Sequence, residues 1–328
     1  MARAHNDSET VAESTAEQRG LWGPSLLAPI IVAVFFAACG YYVVTHWRDF
    51  AFVAEISFPE TAAAGLLILV SFVINAFQLN LFLRKFGVRL GFLELIALTM
   101  SMLLGNLIMP LRGGTGGLAL YLKRAHGLDF QAFAAIYGGT ALLTGLINAG
   151  LAAASLLVLI GFHGFMHPGL SLLSVGLFLF CLYFCLFPPP MRWKDRGILA
   201  PIFQAAHSWH LLARDRRLLL LSAASLLTIS LILTVAFAFI YRSLGTPMSV
   251  YGVLVTSSIG TIANLVPLTP GSLGIFDAVV IQIPQMFGLD PARSIAGALV
   301  FRVLCFFWSF LLGAPGLLYL ASLRRKRE

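Results

Sequence analysis

The feature that most limits this chain is a succession of apolar runs about as long as a bilayer is thick. They cover residues 26–44, 62–83, 130–160, 170–187, 218–240 and 295–320. Crossing ~30 Å of hydrocarbon as a helix takes about 20 predominantly apolar residues. Composition agrees, with 59% of residues apolar and only 11% charged, against roughly a quarter charged in a soluble domain. The chain reads as an all-α polytopic membrane protein with about six spans.

A net charge of +8 raises the question of nucleic acid. The basic residues, however, mark span ends and form no single patch: Arg84, Lys85 and Arg89; Lys123 and Arg124; Arg192 to Arg217; Arg324 to Arg327. That is the placement expected of cytoplasmic loops, and no nucleic-acid partner is expected. Residues 46–60 set one Arg against Asp49, Glu55 and Glu60, and 161–169 carry no Lys or Arg, so both loops are expected outside. The reading divides the chain into a disordered cytoplasmic tail (1–23), a membrane domain (24–320) and a basic cytoplasmic tail (321–328). Both termini are then cytoplasmic, in a cell membrane of the bacterial inner or plasma type.

Two smaller features carry competing readings. In the six-cation loop before residue 218, Ile198, Ile202, Ala206, Trp209 and Ala213 recur at helical spacing, as an interfacial amphipathic helix would. His207 with His210, and His163 with His167, lack nearby carboxylates and read as interfacial polar residues, so no metal and no cofactor is expected. The cysteines (Cys39, Cys181, Cys185, Cys305) all lie in apolar runs and read as packing residues. Phe36-Ala-Ala-Cys39 faintly resembles a lipoprotein processing site, but the run continues to Val44 and follows an acidic tail, so a retained span is expected.

Two apolar stretches are broken where a span should continue. Residues 92–109 reach Asn106-Leu-Ile-Met-Pro-Leu-Arg-Gly-Gly-Thr-Gly-Gly117, and only 118–122 separate that motif from Lys123-Arg124. A return leg of about eight residues covers ~12 Å, not a bilayer. A re-entrant hairpin, basic at both ends and entering from the cytoplasm, is expected. Residues 250–266 likewise reach Asn264-Leu-Val-Pro-Leu-Thr-Pro-Gly-Ser-Leu-Gly274, and 275–287 lead away.

The two broken stretches belong to a longer repeat. Phe86-Gly87 precedes Leu244-Gly245 by 158 residues, Asn106-Leu107 precedes Asn264-Leu265 by 158, and Gly127-Leu-Asp129 precedes Gly288-Leu-Asp290 by 161. The halves run from about 24 to 160 and from about 170 to 320, each as span, span, hairpin, span. Three crossings separate the hairpins, so the second enters from outside and the topology is inverted. In transporters of this plan, broken segments meet near the midplane and face the substrate.

Charges inside the runs are the candidate site. Arg302 lies well inside the last span, where a charge costs about 2.5–3.5 kcal/mol on insertion scales without a partner or a wet cavity. Asp277, three residues past Gly274, is its expected partner. Arg112 sits at the other apex, where a guanidinium and exposed helix N–H groups suit an anion such as phosphate. Asn106 and Asn264 complete the substrate-binding candidates. Pro110, Gly113, Gly114, Pro267, Pro270, Gly271 and Gly274 are expected to shape the loops. A purely structural ion pair with a snorkelling arginine is the competing reading. Asn75 and Gln78 are expected on one face of the second span, with Asn80 turned away from Gln78, as interhelical hydrogen-bonding groups.

Asn-Leu-x-Pro-Leu-x-Pro-Gly-x-Leu-Gly followed by Asp277, with Arg302 in the final span, resembles the flippase-like family named for the transmembrane region of lysylphosphatidylglycerol synthase. Pro110, Arg112 and Gly113 look like its first motif, Pro-x-Arg-x-Gly-Glu. The likeness runs over about 26–320. It departs where the family's Glu is replaced by Gly114 or Thr115, where an acid–base pair is lost around Gly138-Gly-Thr140, and where Asp277 replaces Glu. The resemblance implies a non-enzymatic transporter of a lipid or lipid-linked anionic substrate, with membrane lipids as partners. Because the chain ends at Glu328, it is not expected to carry the synthase's aminoacyl-transferase domain. The alternative expectation is a non-catalytic membrane partner of a glycosyltransferase or lipid-modifying enzyme, docked through residues 192–217. No HExxH or Gly-x-Ser-x-Gly motif and no paired carboxylates point to hydrolase or transferase chemistry.

Overall fold

A computed structural model describes residues 45, 56–109, 112–163, 167–187, 215–266, 272 and 274–327. The first apolar run, Cys39, the 198–213 stripe with His207 and His210, and Pro110, Pro267, Pro270 and Gly271 lie outside the described residues. Among the described residues there are nine helices and no strand: α1 (Phe58–Lys85), α2 (Phe92–Ile108), α3 (Gly113–His126), α4 (Phe130–His163), α5 (Pro168–Leu186), α6 (Arg216–Ser243), α7 (Val250–Ala263), α8 (Ile275–Met286) and α9 (Pro291–Arg327). Five of them (α1, α4, α5, α6 and α9) are long and apolar enough to span a membrane. The chain is an all-α, multi-pass membrane protein.

The boundaries follow from local chemistry. Glu60 lies in the first turn of α1 and Arg84 and Lys85 in its last, charges that complement the helix dipole. His167 caps α5 through Nδ1, which accepts from the Leu170 N–H at 3.4 Å, and Pro168 follows at the start of the helix. The repeated sequence anchors are turn devices. Gly127 and Gly288 stop α3 and α8 in the left-handed region (φ 69° and 88°), which costs a glycine nothing. The aspartate two residues on then opens a long helix: Asp129 Oδ1 accepts from the Phe130 N–H at 2.8 Å, and Asp290 Oδ1 from the Arg293 N–H at 3.1 Å.

Helices α1 and α6 are antiparallel along their whole length. At one end Ser57 N–H donates to Ser243 O (3.1 Å) and Arg242 pairs with Glu60 (2.7 Å); at the other Lys85 pairs with Asp215 (2.7 Å). Three further pairs of contacts follow one exchange. α2 packs on α9 as α7 packs on α4, α2 on α3 as α7 on α8, and α1 on α9 as α6 on α4. Small residues allow close approach in lipid: a Cβ on Gly313 would stand 2.7 Å from Met100 O, and one on Gly316 2.9 Å from Ala97 O.

α2–α3 and α7–α8 each begin and end on one side of the molecule. Glu94, in the first turn of α2, accepts from the Tyr121 hydroxyl (2.6 Å) and lies 3.0 Å from His126 Nε2, near the end of α3. A Cβ on Gly252, at the start of α7, would meet the Phe287 ring at the end of α8 at 3.1 Å. The open end of the first pair packs with Leu83, Leu218 and Leu320, beside the start of α6. That of the second packs with Tyr241, in the last turn of α6, and Met248, just past its end. The two pairs therefore open at opposite ends of α6.

On α1, Asn75 is exposed while both Gln78 and Asn80 are buried, so 75 and 78, three residues apart on one helix, differ in exposure. α1 packs against α6, α2 and α9. Neither amide atom of Gln78 has a hydrogen-bond partner among the described residues, so interhelical bonding by this group is not observed.

Candidate functional site

The apex of α2–α3 is built by glycine contact. Gly105 and Gly114 face one another: a Cβ on Gly105 would lie 2.7 Å from Gly114 Cα, and one on Gly114 would lie 2.1 Å from Met102 O and 2.6 Å from the Asn106 nitrogen. Gly113 is pressed on Met109 in the same way, whereas Gly116 and Gly117 face open space. The first two glycines thus serve close packing. Asn106 then caps the return helix from across the break, its Oδ1 accepting from the Thr115 N–H at 2.9 Å and its Nδ2 donating to Thr115 Oγ1 at 3.1 Å. The Asn106 amide is used within the protein.

The apex of α7–α8 is held by charge. Arg302 Nε donates to Asp277 Oδ1 at 2.6 Å and its Nη2 to Oδ2 at 2.7 Å. Oδ2 also accepts from the Gly274 N–H at 3.0 Å, so the carboxylate caps the start of α8 while pairing with α9. Both side chains are largely buried (4% of Asp277 and 12% of Arg302 exposed), and the guanidinium lies 5.2 Å from the centre of the Phe276 ring. Arg302 stands eleven residues into α9, about 17 Å along it and roughly halfway through a ~30 Å core. A bidentate pair in that setting is the compensation an intramembrane charge requires.

Arg112 joins the two apices. Its Nη2 donates to the backbone carbonyl of Asn264, which also accepts from the Ser272 hydroxyl at 3.2 Å. Ser272 O in turn lies 3.5 Å from Arg302 Nη2. Asn264 itself is exposed. Arg112 (φ 54°) and Ser272 (φ 55°) are the two non-glycine residues with positive φ among the described residues. Such backbone costs of order 1–3 kcal/mol and clusters at functional sites. No carboxylate among the described residues pairs with half-buried Arg112. Asp277 neutralises one of the two arginines, and no carboxylate among the described residues neutralises the other.

The structure therefore brings Asn106, Arg112, Asn264, Asp277 and Arg302 to one junction, with Gly113, Gly114 and Gly274 framing it. Residues 22–313 match the family described as the lysylphosphatidylglycerol synthase TM region. The chain belongs to this family. No curated protein and no solved structure matches it. Membership makes it a membrane protein of a lipid-related family. At Gly114 and Thr115, where the resemblance implies an acid, the structure shows packing and capping contacts. Sequence reasoning missed Ser272, Thr115 and the Glu94–Tyr121–His126 cluster at the mouth of α2–α3. Glu94, the one acid in the apolar stretch 92–109, was the available signal for the cluster. The contacts of Ser272 and Thr115 depend on backbone geometry that no motif announces.

Proposed function

We propose that the protein is a flippase-like transporter, moving a lipid or lipid-linked anionic substrate between leaflets of the cell membrane. The observation that carries this reading is Arg112: a cation without a carboxylate partner among the described residues, hydrogen-bonded to the opposite apex. A guanidinium so placed matches phosphate geometry bidentately. Open space beside Gly116 and Gly117 leaves that side of α3 without side-chain bulk. The head group would pass this junction, while Asp277 and Arg302 position the second apex and make little direct contact. No bond is made or broken in this cycle, so the protein is not an enzyme.

The reading includes two re-entrant hairpins in an inverted repeat with both termini cytoplasmic. Its supports are the exchange pattern of helix packing and the opening of the two helix pairs at opposite ends of α6. A cysteine at Ser249 is expected to react with an impermeant thiol reagent from outside, and one at Lys123 from inside. Reaction of both from one side would remove the inverted repeat. The transport claim is tested in proteoliposomes with head-group-labelled lipids. The protein is expected to move anionic lipids faster than zwitterionic ones. A folded protein that moves none of several anionic head groups would contradict it, leaving docking through residues 192–217 as the reading to pursue.

A further inference from the structure

The outer face of α9 carries an apolar groove lined by Val303, Phe306, Phe307, Phe310 and Leu311. Lipid tails normally cover such a face, so exposure alone assigns no occupant. The repeat does. Gly127-Leu-Asp129 and Gly288-Leu-Asp290, which open α4 and α9, stand 161 residues apart. At that offset the five groove residues correspond to Leu142, Gly145, Leu146, Ala149 and Gly150 of α4. On α4 these positions form the seat of α5. A Cβ on Gly145 would lie 2.9 Å from Cys181 Sγ, and one on Gly150 would lie 3.2 Å from the Phe178 ring. Leu142 and Phe184 share one cluster, with Leu146 packed against it.

The sequence also supplies the counterpart of α5. Phe178-Leu-Phe-Cys-Leu-Tyr-Phe184 is matched 142 residues earlier by Phe36-Ala-Ala-Cys-Gly-Tyr-Tyr42. Phe36 corresponds to Phe178, Cys39 to Cys181, Tyr41 to Tyr183 and Tyr42 to Phe184. The residues that α5 turns to α4, Phe178, Cys181 and Phe184, are thus aromatic, Cys and aromatic in the earlier run as well. The first apolar run, 26–44, is 19 residues long, as is helix α5, 168–186.

We propose that residues 26–44, which lie outside the described residues, seat in the α9 groove as α5 seats on α4. The occupant is this chain's own first apolar run, in preference to lipid or a second copy. Phe306 is one helical turn from Arg302, so the run would close the lipid side of the helix that carries the buried ion pair. The proposal rests on the repeat reading above but not on transport, and its test needs no transport assay.

The test is a disulfide cross-link in the full-length protein in membranes. Phe306→Cys is introduced with Cys39 kept and the other three cysteines changed to Ala. Gly145→Cys with only Cys181 kept is the control, since 2.9 Å between a Cβ and a sulfur is close to disulfide geometry. Light and isotopically heavy protein are co-reconstituted and oxidised, and linked peptides are read by mass spectrometry. The expected product joins Cys39 to position 306 in light–light and heavy–heavy pairs only. Mixed pairs would show that a second copy fills the groove. Absence of the link while the control forms would show that lipid fills it. Either result overturns the proposal. A second pair, Tyr42→Cys with Val303→Cys, mirrors Phe184 and Leu142 and decides the matter if Phe306→Cys fails to fold. A protein that cross-links as expected yet moves no lipid would keep this proposal and lose the transport reading.

Discussion

The two apices occupy equivalent places in the repeat but are stabilised by different physics. At the first, backbone meets backbone through Gly105 and Gly114, and a neutral amide, Asn106, closes the return helix. At the second, a carboxylate closes the return helix and brings a buried arginine with it. One apex is uncharged in its own closure and leaves Arg112 without a carboxylate among the described residues; the other is charged and compensates itself. A repeated motif can thus keep its fold while giving one copy the structural charge and the other the charge available to a ligand.

The largest effect should come from splitting the compensated apex. Removing one partner of a buried ion pair typically costs about 3–5 kcal/mol, because the other charge is left unpaired. Asp277→Asn and Arg302→Gln are each expected to lower the thermal unfolding midpoint in detergent sharply, with function impaired. Exchanging the two residues should recover part of both losses. Single variants that unfold like wild type would show that the second apex is not held by charge.

The next effect separates the glycines of the first apex. Gly114→Ala would push a methyl into the Met102 carbonyl and the Asn106 nitrogen, an overpacking that typically costs about 1–3 kcal/mol. Gly117→Ala meets open space within a helix and should be neutral or gain up to about 1 kcal/mol. Equal unfolding midpoints for the two variants would remove the distinction between packed and open glycines.

The smallest effect calibrates the buried pair against an exposed one. Asp215 is held below the usual carboxylate range, first by the Lys85 hydrogen bond and then by the Leu218 N–H. A carboxyl lowered on folding adds stability above its unfolded value of about 3.9 and loses it as pH falls through the folded value. The pair is exposed, so the contribution should be small. Lys85→Ala should shift the unfolding midpoint slightly at pH 7, and by less as the pH falls through the folded value of Asp215. A loss as large as that from Asp277→Asn would contradict the contrast between exposed and buried pairs.

Much of this was legible in the sequence. Run lengths located the long helices, four of them with ends within four residues and α9 running seven residues past its run, because about 20 apolar residues in lipid have few alternatives. Asp277 and Arg302 could be paired on paper, since a lone charge at that depth demands a partner. The roles of the two asparagines could not. Asn106 and Asn264 are identical in the repeat, yet one acts through its side chain and the other through its carbonyl, a choice set by the backbone on each side of the break. Gly113 and Gly114 read as loop-shaping residues beside Arg112, but their lost side chains serve close contact with Met109, Met102 and Asn106, which needs the position of α2 to be seen. Asn75 and Gln78 differ in exposure although they lie three residues apart on α1, a difference set by which helices pack around it.

In the proposed transport cycle Arg112 holds an anionic head group where the apices meet. That contact is read by mass spectrometry of lipid co-purified with wild-type protein and with Arg112→Gln. Wild type should retain an anionic lipid above its proportion in the membrane, and the variant should lose that enrichment while unfolding at nearly the same temperature. Equal retention of the same lipid by both proteins would contradict the assignment.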